Sequence, residues 1–176
     1  MANPQSLSFT LEANGILRQL ITPCGICKAF DPLTGGQHPK VEKISGLWDT
    51  GATGSVITKA LADKLGLVPF RKQKVYHADG DTVANVYAIN IFLPNQVAFA
   101  FIPVTEGKLT GFDMLIGMDI ISRGDLTISN FAGKTTFSFR TPSTGKLEFD
   151  PIVASPPKKP NWLNSKSGNY KKPGKK

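Results

Sequence analysis

Leu47-Trp48-Asp49-Thr50-Gly51-Ala52-Thr53-Gly54-Ser55-Val56-Ile57 is the stretch on which the architecture of this chain turns. An apolar run passes straight into a carboxylate, a hydroxyl and a glycine, and a second apolar run follows. This order puts Asp49 at a strand end with backbone amides crowded around it. A glycine two residues on permits close approach of another segment and lets N–H groups point at the carboxylate, which favours its charged form. Asp-Thr-Gly alone is weak evidence, since ordinary residue frequencies produce it in about one chain in thirty of this length. The plain alternative is a strand-end turn in which aspartate and threonine bond their own backbone.

Working outward, short β-like runs separated by turn residues extend from Leu7 to Arg140, with a period nearer two than 3.6. The pattern predicts strands at Ile16–Thr22, Ile44–Trp48, Lys74–His77, Thr82–Leu93, Val97–Val104, Asp113–Ile116, Leu126–Ser129 and Thr135–Phe139. Ala78-Asp79-Gly80-Asp81 joins two of them, and Asp-Gly at that place predicts a hairpin tip because both residues tolerate positive φ. One helix is expected, capped by Thr58, running from Lys59 to Leu65 and ended by Gly66. A shorter helical turn follows Gly117, through Asp119 to Ser122. Met114-Leu115-Ile116-Gly117-Met118-Asp119 describes a strand that ends against a tight neighbour.

These elements, in this order, resemble the retropepsin-like aspartic proteases. The resemblance rests on Asp49-Thr50-Gly51-Ala52 after an apolar strand, a glycine-tipped hairpin some 30 residues on, and Leu115-Ile116-Gly117 with Asp119 behind it. It covers residues 44 to 128 well and 16 to 140 loosely. It implies an all-β, closed barrel or sandwich domain with one short helix, active as a homodimer. It implies that Asp49 is the catalytic aspartate, braced by Thr50, Gly51 and Ala52. Ala78, Asp79 and Gly80 would form the flap over the substrate, and Leu115, Ile116 and Gly117 would lie beneath the active-site turn. Retroviral members carry an acid two residues after the active-site glycine and an arginine after the later glycine. Here those positions are Thr53 and Met118, a pattern closer to the cellular and bacterial branch.

Two carboxylates held about 3 Å apart cannot both ionise, so they share one proton. One then acts as base on a water while the other protonates the peptide carbonyl oxygen. The chain holds a single Asp-Thr-Gly, so within the family reading the second carboxylate comes from another copy, in a C2 homodimer. The expected activity is aspartic endopeptidase, with peptide or protein substrate bound extended beside the flap. A non-catalytic interaction module with the same fold is the alternative.

The rest of the sequence sets bounds. At 176 residues, with 17 Gly and 13 Pro, the chain has room for one turn-rich domain with tails. That division gives an N-terminal extension over 1–15, the protease domain over 16–140 and a tail over 141–176. The formal charge of +8 belongs to the tail: residues 151–176 hold seven lysines and no acid, leaving 14 basic against 13 acidic residues before them. With five prolines and few apolar anchors that segment is expected to be disordered and solubilising. Nucleic-acid binding through its lysines, Trp162 and Tyr170 is the other reading. No apolar stretch approaches the roughly 20 residues of a membrane span, and the first residues carry no secretory pattern, which predicts a cytoplasmic location.

Cys24-Gly25-Ile26-Cys27 lacks partners at zinc spacing, with His38 and His77 far apart, and no helix follows it as a redox pair would need. Two partly buried thiols in a β-turn are expected, and neither metal nor cofactor. Asp119 is expected to cap the short helix rather than act as an acid.

Overall fold

Strands dominate because apolar side chains recur at alternate positions and turn residues break every run. The computed structural model describes residues 5–34, 37–77 and 80–149. The chain forms two compact units, Met1–Gly145 and Lys146–Lys176, and every element named here belongs to the first. In chain order these are β1 (Leu7–Glu12), β2 (Leu20–Lys28), β3 (Glu42–Trp48), β4 (Val56–Thr58), α1 (Lys59–Lys64), β5 (Arg71–His77) and β6 (Gly80–Phe92). Then come β7 (Ala98–Gly107), β8 (Met114–Ile116), α2 (Met118–Ile121), β9 (Asp125–Ser129) and β10 (Thr136–Thr141).

The larger sheet runs β2-β3-β8-β4-β7-β6-β5, and β6 also pairs with β2. Six strands therefore close on themselves as a barrel, which leaves no free edge within the ring. β5 is joined only to β6, outside that ring. The barrel is filled by Ile26, Ile57, Ile89, Ile102, Met114 and Ile116, all fully buried. The fold is thus all-β around a closed barrel, with two short α-helices where one was expected with a helical turn after it.

A second sheet, β1-β10-β9, brings Phe9, Phe137 and Phe139 onto Trp48. The Trp48 ring lies 5.1 Å from Phe137 and 5.0 Å from Phe139, and its indole N–H donates to Thr22 Oγ1 at 3.0 Å. Burial of each such ring is worth about 1.5–3 kcal/mol, so the residue immediately before Asp49 is held hard in place.

Several expectations need correction. Residues 7–12, assigned to an N-terminal extension, form β1 and pair with β10 from Leu7 with Thr141 to Glu12 with Thr136. The cause is visible in their alternation, which buries Phe9. The strand expected at Ile16–Thr22 begins only at Leu20, because residues 16–19 are a connection pinned by Leu17 N–H donating to Thr135 Oγ1 at 2.9 Å. Cys24 and Cys27 lie within β2 rather than in a turn. Pro23 is tolerated there because β2 has β3 alone beside it at that point, β6 joining from Gly25. Of the expected hairpin tip, Ala78 and Asp79 lie outside the described residues, while β5 and β6 pair as far as His77 with Gly80. The basic tail from Asp150 on also lies outside them.

Candidate active site

β3 delivers Asp49 to the mouth of the barrel. β3 lies parallel to β8, with Leu47 opposite Leu115 and Trp48 opposite Ile116, and the next amide, Asp49 N–H, donates to Ile116 C=O at 3.0 Å. The chain then turns: Gly51 N–H donates to Asp49 Oδ1 at 2.8 Å and Ala52 N–H to Asp49 C=O at 3.3 Å. The carboxylate is half-buried, and Thr50 beside it is exposed.

The turn is clamped from below. Met118 N–H donates to Ala52 C=O at 2.8 Å, and Gly117 packs so closely that a Cβ there would stand 2.6 Å from the Gly54 carbonyl carbon and 2.9 Å from the Ala52 oxygen. Only glycine permits that approach. Ile116 and Gly117 therefore touch the Asp49 turn directly, while Leu115 pairs with Leu47 and Val56 on the strands to either side of it. Met118 holds the turn through its backbone and leaves its side chain at the surface.

Ser55 and Asp119 complete the clamp. Ser55 Oγ accepts from Gly117 N–H at 3.1 Å and donates to Asp119 Oδ1 at 2.8 Å, while Ser55 C=O accepts from Thr105 N–H at 3.0 Å. Asp119 was expected to cap α2, yet Gly117 is the cap residue and no side chain caps that helix. Its carboxylate turns to Ser55 instead, with Oδ2 buried and unpartnered. Sequence reasoning missed Ser55, a buried hydroxyl; a polar residue between glycine and an apolar run was its one signal.

Asp49 borders two grooves. One, of about 640 Å³, runs from the turn past Val56 and Val86 to Arg71, Gln73 and Val75 of β5. Glu106 also lines it, accepting from the Tyr87 hydroxyl at 2.5 Å and Asn85 Nδ2 at 3.1 Å, and these bonds hold its carboxyl below the usual carboxylate range. The other groove, of about 380 Å³, is lined by Leu17, Leu20, Asp49, Thr50, Leu126 and Ile128.

Among the described residues no cluster of His, Cys, Asp and Glu could hold a metal ion. Burial, with Asp113 nearby, pushes the Cys24 thiol up to about 12, so it stays protonated at neutral pH. No helix among the described residues is long and apolar enough to cross a membrane.

Residues 41–123 match the sequence model of the gag-polyprotein putative aspartyl protease family. No curated protein sequence matches the chain. Among solved structures, the chain is similar to a retropepsin-like aspartic protease from Rickettsia conorii, at 15% identity over 80% of this chain and 99% of that one, with a TM-score of 0.48. It is similar to the protease of simian foamy virus, at 15% identity over 58% and 92% of the two chains and a TM-score of 0.39. The retroviral protease-like domain of Ddi1 from Leishmania major gives 19% identity, 64% and 82% coverage, and a TM-score of 0.40. The matched segment contains the Asp49 turn, the β5–β6 hairpin and the Gly117 clamp, and a protease-type function accords with it. Over those residues, a little under half of its length, the chain resembles the gag-type aspartyl proteases.

Proposed function

We propose that the chain is an aspartic endopeptidase whose active unit is a homodimer, with Asp49 of each copy supplying one of two catalytic carboxyls. The observation that carries this is the Asp49 carboxylate itself. It is fixed by Gly51 N–H at a strand end, clamped from beneath, and open on one side to a groove wide enough for an extended peptide. The pair holds one proton. The ionised member takes a proton from water, the oxygen adds to the peptide carbonyl carbon, and the protonated member gives its proton to the carbonyl oxygen. Collapse of the tetrahedral adduct breaks the C–N bond as a proton passes to the amine, releasing an acid and an amine. Thr50, Gly51 and Ala52 brace the carboxylates, and the hairpin around Ala78, Asp79 and Gly80 covers the bound peptide.

The second groove supports the dimer. In it Leu17 is 45% exposed and Ile128 50%, apolar surface where a second Asp49 has to arrive. Such a surface next to an incomplete site fits an isologous contact.

Subunit mixing tests both halves of this reading. Wild-type chain is blended with Asp49→Asn at constant total concentration, and cleavage of a peptide library is followed beside sedimentation. A shared site makes activity fall as the square of the wild-type fraction, to about one quarter in an equal mixture. A linear fall would overturn the shared site, and cleavage by pure Asp49→Asn would overturn the role of Asp49.

A further inference from the structure

The large groove is not neutral in character along its length. It is lined both by the carboxylates of Asp49, Asp119 and Glu106 and by the apolar side chains of Val56, Val86 and Pro103. Its outer wall is β5. Arg71 pairs with Val86 of β6, so the two side chains share a face, and alternation puts Gln73 and Val75 on that face with them. All four line the groove.

The charges in this groove are unequally satisfied. Glu106 is held by Tyr87 and Asn85, and Asp119 is held by Ser55 through Oδ1 alone, its Oδ2 being buried. Lys74, at the groove's border, is ion-paired with Asp81 across the hairpin. Arg71 is exposed, makes no ion pair among the described residues, and lies over the Phe70 ring at 5.8 Å. A guanidinium steadied by an aromatic face keeps its fork of donors free for a planar carboxylate.

From this we infer that Arg71 selects substrates: the groove takes peptides carrying an acidic side chain that pairs with Arg71, next to an aliphatic side chain seated on Val56, Val86 and Pro103. An extended peptide places alternate side chains on one face about 7 Å apart, which suits a charged site and an apolar site side by side. The inference rests on the endopeptidase reading for the groove's occupant, and it adds the chemical class of that occupant.

The test uses full-length chain and fluorogenic peptides identical except for Glu, Gln or Lys scanned through each position around the scissile bond. One position is expected at which Glu exceeds Gln by about tenfold in kcat/KM, and Lys by more, with the preference shrinking as salt rises. Arg71→Gln flattens that position and Arg71→Glu inverts it, while preferences at the other positions stay as they were. Peptide binding to Asp49→Asn, read by fluorescence anisotropy, is expected to follow the same order. A library without acidic preference, or a preference unchanged in Arg71→Glu, overturns the assignment while leaving proteolysis intact. Arg71-dependent binding of acidic peptides without any cleavage by wild type supports the assignment and removes the catalytic reading. Neither binding nor cleavage removes both.

Discussion

Gly117→Ala is the sharpest probe of how the Asp49 turn is held. The new methyl would lie 2.6 Å from the Gly54 carbonyl carbon, 2.7 Å from its oxygen and 2.9 Å from the Ala52 oxygen. These are backbone atoms, so no side chain can swing aside. Restoring 3.4 Å, where ordinary contact begins, from 2.6 Å requires the turn and β8 to part by about 0.8 Å. That separation stretches the 2.8 Å bond from Met118 N–H to Ala52 C=O and the 3.1 Å bond from Gly117 N–H to Ser55 Oγ. Overpacking of this kind costs roughly 1–3 kcal/mol, and at about 2–4 °C per kcal/mol for a chain of this size it lowers Tm by several degrees. Misplacing a catalytic carboxylate by nearly an ångström reduces kcat by about 100-fold, with a smaller effect on KM because the far wall of the groove, Arg71, Gln73 and Val75, lies away from the clamp. Thermal melts and peptide cleavage would be read beside Gly15→Ala, where an added Cβ meets nothing within 4 Å. A Gly117→Ala chain with the Tm and kcat of wild type would refute the claim that this glycine sets the position of Asp49.

Other expectations follow from the same contacts. Ser55→Ala strands Gly117 N–H and Asp119 Oδ1, and should cost about 1–3 kcal/mol in urea unfolding, whereas Ser55→Thr, which keeps the hydroxyl, should recover most of it. Ile128→Asp, half-exposed in the groove that Asp49 and Thr50 also line, should weaken self-association by roughly 10- to 100-fold in sedimentation and make activity steeply concentration-dependent; an unchanged dimer would move the interface elsewhere. Glu106 is held below its ordinary value of 4.5 chiefly by the Tyr87 hydroxyl. Its ionised form is favoured by folding, so its contribution is present above pH 4.5 and is lost as pH falls through the lower folded value. Tyr87→Phe should therefore narrow the stability difference between pH 6 and pH 3, and an acid unfolding curve that keeps its shape would contradict this.

The Asp49 turn and the glycine behind it were legible because each is local. An apolar run into Asp-Thr-Gly and an apolar run into Gly117 declare strand ends without help from distant residues. The helix at Thr58 was legible for the same reason: its hydroxyl accepts from Leu61 N–H at 3.2 Å, and Gly66 takes φ +59° just past its end. What escaped was set by partners far away in sequence. Cys24 to Cys27 resembles a turn, yet Gly25 pairs with Lys43 and Phe92 within β2, and glycine stands there because a Cβ would meet Val41 Cγ1 at 2.6 Å. Asp119 resembles a helix cap until Ser55, 64 residues earlier, claims its oxygen. Phe101 alternates with Phe99 as core residues do, yet its φ of +55° and 55% exposure follow from the β6–β7 register shift, where buried Asn90 accepts its N–H at 2.9 Å. β1 is the exception. Leu7, Phe9 and Leu11 gave a fair alternating signal, and proximity to the terminus outweighed it.

The strand Arg71–His77 hangs from the barrel without being one of its staves. Its side chains can therefore be exchanged, and its pairing loosened or tightened, with little effect on the stability of the hydrophobic interior. In this architecture the choice of ligand is uncoupled from the survival of the fold, so selectivity can drift rapidly in one strand while the frame that holds Asp49 remains as it is.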